Sequence, residues 1–164
     1  MMRFYDLPRV EIDAKCSPTN LGEADRAFPT LVAKSHLHLA RPDEPIPAKG
    51  LRILLGIATW SEYDLRLLDV VNDALSESNR PHMTVDVFNI GGLQSGDFEK
   101  LIPGLGPIYQ TPIVGIWRDG VLIEKGAGFE GRELATRMFG SNSNEIVEFV
   151  TRQRPSATSP ASAS

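Results

Sequence analysis

The feature that constrains the fold of this chain most strongly is a near-continuous apolar run, Leu51-Arg52-Ile53-Leu54-Leu55-Gly56-Ile57. Apolar residues that follow one another without alternation are typical of a strand buried on both faces of a sheet. A helix is predicted to begin after Ser61, because an apolar stripe at helical spacing follows it, formed by Leu67, Leu68, Val71, Ala74 and Leu75. A second strand is predicted over residues 83–90. Strand, helix and strand in this order indicate a right-handed parallel βαβ unit.

The next part of the chain predicts a short helix, a β-hairpin and a further helix. Residues 97–102 favour the short helix, and Asp119-Gly120 separates two strand-like runs, 113–117 and 121–124. Asp-Gly between two such runs is a strong hairpin signal. Helices are then expected over 131–139 and about 144–152. Because the first strand pair is parallel and the hairpin is antiparallel, we predict an α/β domain with a mixed sheet over residues 51–153.

The two ends of the chain have a different composition from this domain. Residues 1–50 contain prolines at positions 8, 18, 29, 42, 45 and 47, and only 30–33 and 37–39 favour a strand. We therefore expect an extended, irregular, Pro-rich N-terminal arm. Residues 154–164 are rich in Ser, Ala and Pro, a composition that predicts a disordered tail.

Composition excludes several classes of function. The formal net charge is -4, so nothing favours nucleic acid or an anionic membrane as a partner. No stretch approaches the roughly 20 apolar residues of a membrane helix. Asp6, Glu11 and Asp13 stand where a signal peptide has its apolar run, so we expect a cytoplasmic protein. Cys16 is the only cysteine, and His36 and His38 have no third ligand nearby, so we expect neither metal nor cofactor.

Several local features occur together in the order found in thioredoxins. The buried first strand runs into Trp60, residues 84–90 form the next strand, Thr111-Pro112 precedes the hairpin, and Lys125-Gly126-Ala127 precedes a helix. In this respect residues 51–139 resemble the thioredoxin-like superfamily, whose mixed sheet has the same order of βαβ, short helix, β-hairpin and helix. The resemblance implies that Pro112 occupies the position of the family's cis-proline.

The same resemblance implies that the family's redox chemistry is absent. The two cysteines of its Cys-x-x-Cys sequence fall on Ser61 and Asp64, its buried acid on Leu55 and its buried lysine on Val87. A serine hydroxyl is barely acidic and needs a neighbouring base to act as a nucleophile. Ser61 and Asp64 instead form a Ser-x-x-Asp sequence, related to the capping box, so we interpret them as a helix cap.

Aromatic residues surround the same turn. Trp60, Tyr63 and Tyr109 are expected to cluster beside Thr111-Pro112, which is either ordinary packing or a surface that binds a protein partner. The preferred hypothesis is a redox-inactive structural or docking subunit of a larger assembly, such as an accessory subunit of a membrane-bound complex, and not an enzyme. In this hypothesis the partner contacts the N-terminal arm and the former active-site face.

Two alternatives remain open from the sequence. One is a glutathione-binding or transferase-type enzyme that uses Ser61, since some thioredoxin-like transferases have a serine at this helix start. The other is a thiol protein in which Cys16 is the nucleophile.

Overall fold

The predicted buried strand is the central strand of the sheet in this computed structural model, which describes residues 2–9, 11–17, 19–20, 22–77, 83–93, 95–105 and 110–139. This strand, β2 (Leu51–Ile57), is buried along its whole length. It is followed by α2 (Glu62–Glu77) and by β3 (Met83–Asn89), which pairs with it in parallel. The predicted βαβ unit is therefore confirmed.

The second half of the domain also follows the prediction. A short helix, α3 (Ser95–Leu101), precedes the antiparallel hairpin of β4 (Ile113–Arg118) and β5 (Val121–Ala127), and α4 (Phe129–Phe139) completes the described chain. At the hairpin turn, Asp119 has φ 48° and Gly120 has φ 84°, the positive values that a tight two-residue hairpin turn requires. Together with the short strand β1 (His38–Leu39), the described residues form a mixed sheet of order β1-β3-β2-β4-β5.

The N-terminal fifty residues differ from the prediction. Helix α1 (Glu23–Ala33) contains residues 30–33, so the strand expected there is wrong. Its residues Phe28, Leu31 and Val32 are buried, and their i, i+3, i+4 spacing is that of a helix face. The second expected strand is confirmed as the two-residue β1 (His38–Leu39), which pairs in parallel with β3.

The prediction of an extended, irregular N-terminal arm is also corrected, because α1 and the segment that contains Phe4 and Leu7 pack into the domain. Phe4 and Leu7 are each 2% exposed and belong to the same core cluster as Phe28, Leu55 and Val87. The backbone N–H groups of Phe4 and Tyr5 donate to the carboxylate of Asp69 on α2 at 2.8 and 3.0 Å. Burial of two large apolar side chains provides the physical reason: residues 4–7 contribute to the core.

The two faces of the sheet are covered differently. The larger core cluster contains residues of α1, α2 and α4 and the side chains of β2 and β3 that include Leu55 and Val87. The smaller cluster lies on the other face and includes Leu101, the last residue of α3. On that face Arg52 and Asp86 form a buried ion pair, with 2.9 Å between Arg52 Nε and Asp86 Oδ2.

Some sequence predictions fall outside the described residues, namely Tyr109, the helix at 144–152 and the tail at 154–164. Within the described ranges, no helix has the length and apolar character needed to cross a membrane. Those ranges likewise contain no group of three or more His, Cys, Asp or Glu residues arranged to hold a metal ion.

Candidate functional site

The turn between β2 and α2 is held in place by hydrogen bonds around Ser61. The Ser61 N–H donates to the Ala58 carbonyl at 3.0 Å, and the Ser61 hydroxyl accepts from the Asp64 N–H at 3.3 Å. Ser61 therefore caps α2, as the sequence predicted. The hydroxyl stands at the helix start where the thioredoxin resemblance places a reactive thiol, and it is occupied there as a hydrogen-bond acceptor.

Asp64 does not complete a capping box. Its carboxylate turns back towards the end of β2, where Oδ2 accepts from the Ala58 N–H at 3.0 Å. The side chain is 0% exposed, and its Oδ1 has no hydrogen-bond partner of good geometry among the described residues. Asp64 therefore stabilises the turn through a hydrogen bond made inside the protein, where its side chain is buried.

Burial raises the pKa of the Asp64 carboxyl above its usual value. The Thr111 hydroxyl, the Ala58 N–H and the Ser61 hydroxyl each lower this pKa by hydrogen bonding, and the charge of Arg132 lowers it slightly further, without reversing the rise. The carboxyl is thus easier to protonate than an exposed aspartate.

The core behind this turn is apolar at the two positions where the thioredoxin family has its buried acid and lysine. Leu55 and Val87, which stand where the family has its acid and its lysine, lie opposite each other in the β2–β3 register, and both are 0% exposed. The site therefore combines a serine that caps α2, a buried carboxyl and an apolar core surface formed by Leu55 and Val87.

Thr111-Pro112 borders the same turn, because the Thr111 hydroxyl lies close enough to Asp64 to lower its pKa. The peptide bond between these two residues is cis, as the resemblance implied. The Pro112 carbonyl accepts from the Gly128 N–H at 3.1 Å, and a Cβ added to Gly131 would collide with that carbonyl. Close contact with two glycines of the β5–α4 junction fixes this loop against α4.

Tyr63 joins α2 to α4. It is half-buried, and the guanidinium of Arg132 lies 4.2 Å from the centre of its ring. A cation over an aromatic face at this distance is an attractive contact. Tyr63 is therefore mainly a packing residue whose side chain stays partly exposed, and the exposed Arg132 lies beside it.

Trp60 is the large exposed side chain of the turn, with 59% of its surface accessible. A polar network supports its neighbours: Asp25 Oδ1 accepts from the Thr59 hydroxyl at 2.6 Å and from Asn89 Nδ2 at 2.7 Å. A cleft of about 100 Å³ opens beside Trp60, between the turn and the start of α1. The exposed indole thus projects from a backbone that is hydrogen-bonded on both sides.

Phe129 is a residue that the sequence reasoning missed. It is 74% exposed at the first position of α4, directly after Gly128, whose N–H binds the Pro112 carbonyl. An aromatic residue between a glycine and a helix start was the available signal.

The structure brings Trp60, Ser61, Tyr63, Asp64, Thr111 and Pro112 together around the start of α2, while Tyr109 lies outside the described residues.

Cys16 makes its hydrogen bond within its own turn and not to the start of α2. It is exposed, has φ 63°, and its N–H donates to the Asp13 carbonyl within its own turn. No hydrogen bond among the described residues joins Cys16 to the start of α2.

Comparison by sequence finds no matching protein-family model and no matching curated protein. Comparison of structures finds ERdj5, with a TM-score of 0.50 and 16% identity over 81% of this chain and 16% of that chain. Human ERp44 aligns with a TM-score of 0.48 and 11% identity over 74% of this chain and 30% of that chain. Thioredoxin from Fasciola hepatica aligns with a TM-score of 0.42 and 12% identity over 79% of this chain and 94% of that chain.

At identities this low, similarity of structure shows the fold alone. The structural match to ERdj5 and the five-stranded mixed sheet confirm the thioredoxin-like fold predicted from the sequence. The chain spans less than a third of the ERp44 and ERdj5 chains. With one cysteine in 164 residues, it has no Cys-x-x-Cys sequence.

Proposed function

From a thioredoxin-like fold without its cysteine pair, we propose that this chain is a redox-inactive docking subunit of a larger protein assembly. The surface that docks is the former active-site face, defined by Trp60, Tyr63, Phe129 and Arg132; Pro112 borders this face but is itself buried. The partner is a protein, and the role involves no catalysis.

The observation that carries the proposal is the exposure of Trp60 on a fixed turn. An indole that is 59% exposed loses favourable burial, yet the turn that presents it is held by Ser61, Asp64 and the Asp25 network. Tryptophan, tyrosine and arginine are the residues most often found as energetic hot spots at protein interfaces. A preformed backbone reduces the entropy lost when the side chain is buried by a partner.

The chemistry of the turn supports a role without catalysis. The Ser61 hydroxyl already accepts a hydrogen bond from the helix, and the carboxyl group that hydrogen-bonds to it, that of Asp64, is itself held by the Ala58 N–H. The neighbouring Asp64 is fully buried. Neither side chain offers a substrate an activated group.

The N-terminal segment contributes less to docking than the sequence suggested. Phe4 and Leu7 are committed to the core, so only exposed residues such as Ile12, at 57% exposure, remain for partner contact. Truncation at Ala48 would remove core residues and test folding more than docking. Point substitutions on the former active-site face are the appropriate probe.

The test is quantitative affinity capture from the native host with the full chain and with the Trp60→Ala and Phe129→Ser variants. We expect one set of proteins to be retained by the full chain and lost at least tenfold with either variant, as loss of a hot spot predicts. Val121→Ser is the matched control: Val121 is 63% exposed, but it lies at the hairpin end of the sheet, far along β5 from Ala127. Equal recovery with all variants would refute the proposal.

A further inference from the structure

A second concave surface lies between α1 and α2, away from the docking face. This α1–α2 cleft has a volume of about 570 Å³ and is closed at one end by the first described residues of the chain. Its lining includes none of the residues that define the docking face. Sites for small molecules in proteins usually measure about 300–1,000 Å³, so the cleft has room for one such ligand.

The floor of the cleft is apolar. Phe4, Ala27 and Leu31 line it, and Phe4 and Leu31 are otherwise packed in the core at 2% and 9% exposure. Phe4 is fixed from two sides, since its N–H donates to Asp69 and its ring lies 6.0 Å from that of Phe28. A preformed apolar floor favours a ligand with a hydrocarbon or aromatic body.

The two carboxylates of the cleft are already engaged. Asp73 accepts from both terminal nitrogens of Arg3, at 3.3 and 2.8 Å. Asp69 accepts from the N–H groups of Phe4 and Tyr5, and it lies 3.7 Å from Arg3 Nε. Both carboxylates therefore already have partners: Arg3 lies beside each of them, and two backbone N–H groups bind Asp69.

The basic side chains at the other end of the cleft are not compensated in this way. Lys34 and His36 line the cleft where α1 ends, and no described residue places a carboxylate within 4.0 Å of either side chain. The carbonyls of the last turn of α1 are themselves satisfied, since Leu31 and Val32 accept from the Lys34 and Ser35 N–H groups. The cleft is formally neutral, because Arg3 and Lys34 balance Asp69 and Asp73, but its unpaired charge, Lys34, lies at the α1 end.

We propose that the α1–α2 cleft binds a small amphipathic anion, a single carboxylate on an apolar body. The apolar body lies against Met2, which is 48% exposed, and the part-exposed Ala27, beside the nearly buried Phe4 and Leu31, and the carboxylate lies between Lys34 and His36. The site is independent of the docking role, because the two surfaces share no residue.

The test uses the full chain and the fluorescent probe anilinonaphthalene sulfonate, which joins one anionic group to an aromatic body. Phenylnaphthylamine, its uncharged counterpart, measures the apolar contribution alone. We expect saturable binding of both probes, with displacement by decanoate and much weaker displacement by decylamine. Lys34→Met keeps the apolar stem of the side chain, and we expect it to weaken sulfonate and decanoate binding about two- to fivefold, while phenylnaphthylamine binding stays unchanged.

Two further variants make the result decisive. Thr30 is an exposed residue of the lining, so Thr30→Trp fills the cleft from outside without disturbing the core, and we expect it to abolish binding of both probes. Lys49→Met removes an exposed lysine outside the cleft, and we expect it to bind as the wild type does. Unchanged binding in Thr30→Trp, equal displacement by decylamine and decanoate, or no saturable binding at all would overturn the proposal.

Discussion

The N–H of Ala58, at the end of the central strand, donates a 3.0 Å hydrogen bond to Oδ2 of Asp64, in the first turn of the following helix. The thioredoxin resemblance places the second cysteine of the redox pair at position 64. Here the same position holds a buried carboxyl that fixes the turn by hydrogen bonding. The turn is therefore specified by packing and polar contacts, and it presents Trp60 without any thiol chemistry.

The buried carboxyl of Asp64 makes the stability of the protein depend on pH. Because its folded-state pKa is raised by burial, its stabilising contribution is complete below the ordinary aspartate pKa of about 3.9 and is lost as pH rises through the folded-state pKa. We expect Asp64→Asn to match the wild type at about pH 4 and to be the more stable protein at neutral pH, because the amide carries no charge that burial would penalise. Urea unfolding across this pH range measures the difference.

Asp64→Ala provides the control for that experiment. It removes the charge and also the acceptor of the Ala58 N–H, so we expect it to be less stable than Asp64→Asn at every pH. A wild type that gains stability relative to Asp64→Asn as pH rises would contradict the role assigned to burial.

The Ser61 cap should affect stability and leave docking intact. Ser61→Ala removes the acceptor of the Asp64 N–H, and we expect a loss of about 0.5–2 kcal/mol in the free energy of unfolding. Ser61→Thr retains a capping hydroxyl and should lose less. Unfolding in urea measures both variants, and glutathione binding that is present in the wild type and lost in Ser61→Ala would favour the enzymatic alternative instead.

Gly131 is required by the close approach of α4 to the Pro112 loop. A Cβ at this position would meet the Pro112 carbonyl, a backbone atom that cannot rotate away, whereas a Cβ on Gly92 would meet nothing within 4 Å. We expect Gly131→Ala to cost at least about 1–3 kcal/mol, the usual penalty of overpacking, and Gly92→Ala to be nearly neutral. Equal melting temperatures for the two variants would show that the loop and α4 are not in close contact.

Phe4 should stabilise the domain although it lies near the N-terminus. Its side chain is 2% exposed within the main core cluster, so we expect Phe4→Ala to lose about 3–5 kcal/mol of stability. Ile12→Ala is the matched control, since Ile12 is 57% exposed and should lose almost nothing. If Phe4→Ala is as stable as Ile12→Ala, the result would support the sequence prediction of an N-terminal arm that does not pack into the core.

The sequence predicted the sheet well because each of its strands carries its own signal. The continuous apolar run of β2, the helical stripe of α2 and the Asp119-Gly120 turn are local features that tertiary contacts reinforce. The Ser61 cap followed from the same local signals, whereas the position of the cis-proline was implied by the thioredoxin resemblance. Trp60 was expected in an aromatic cluster beside Thr111-Pro112, either in ordinary packing or on a binding surface, and its 59% exposure comes from the structure.

Other features depended on contacts that the sequence does not display. Pro29 and the β-branched residues around it disfavour a helix, yet burial of Phe28, Leu31 and Val32 outweighs that local preference in α1. The inward turn of Asp64 could not be read from the sequence, because its partner Ala58 belongs to the preceding strand end and replaces the expected capping-box bond. Phe129 lies before the helix predicted over 131–139, and nothing in the sequence indicated that it would be exposed at the start of α4.

The most direct test of the docking role is site-specific photo-cross-linking of the full chain in its native host. Benzoylphenylalanine placed at position 60 keeps an aromatic side chain on the exposed turn, and the same group at position 121 reports on an equally exposed site at the hairpin end. The account predicts one discrete cross-linked protein from position 60 and none of that product from position 121. The same product from both positions, or from position 121 alone, would contradict it.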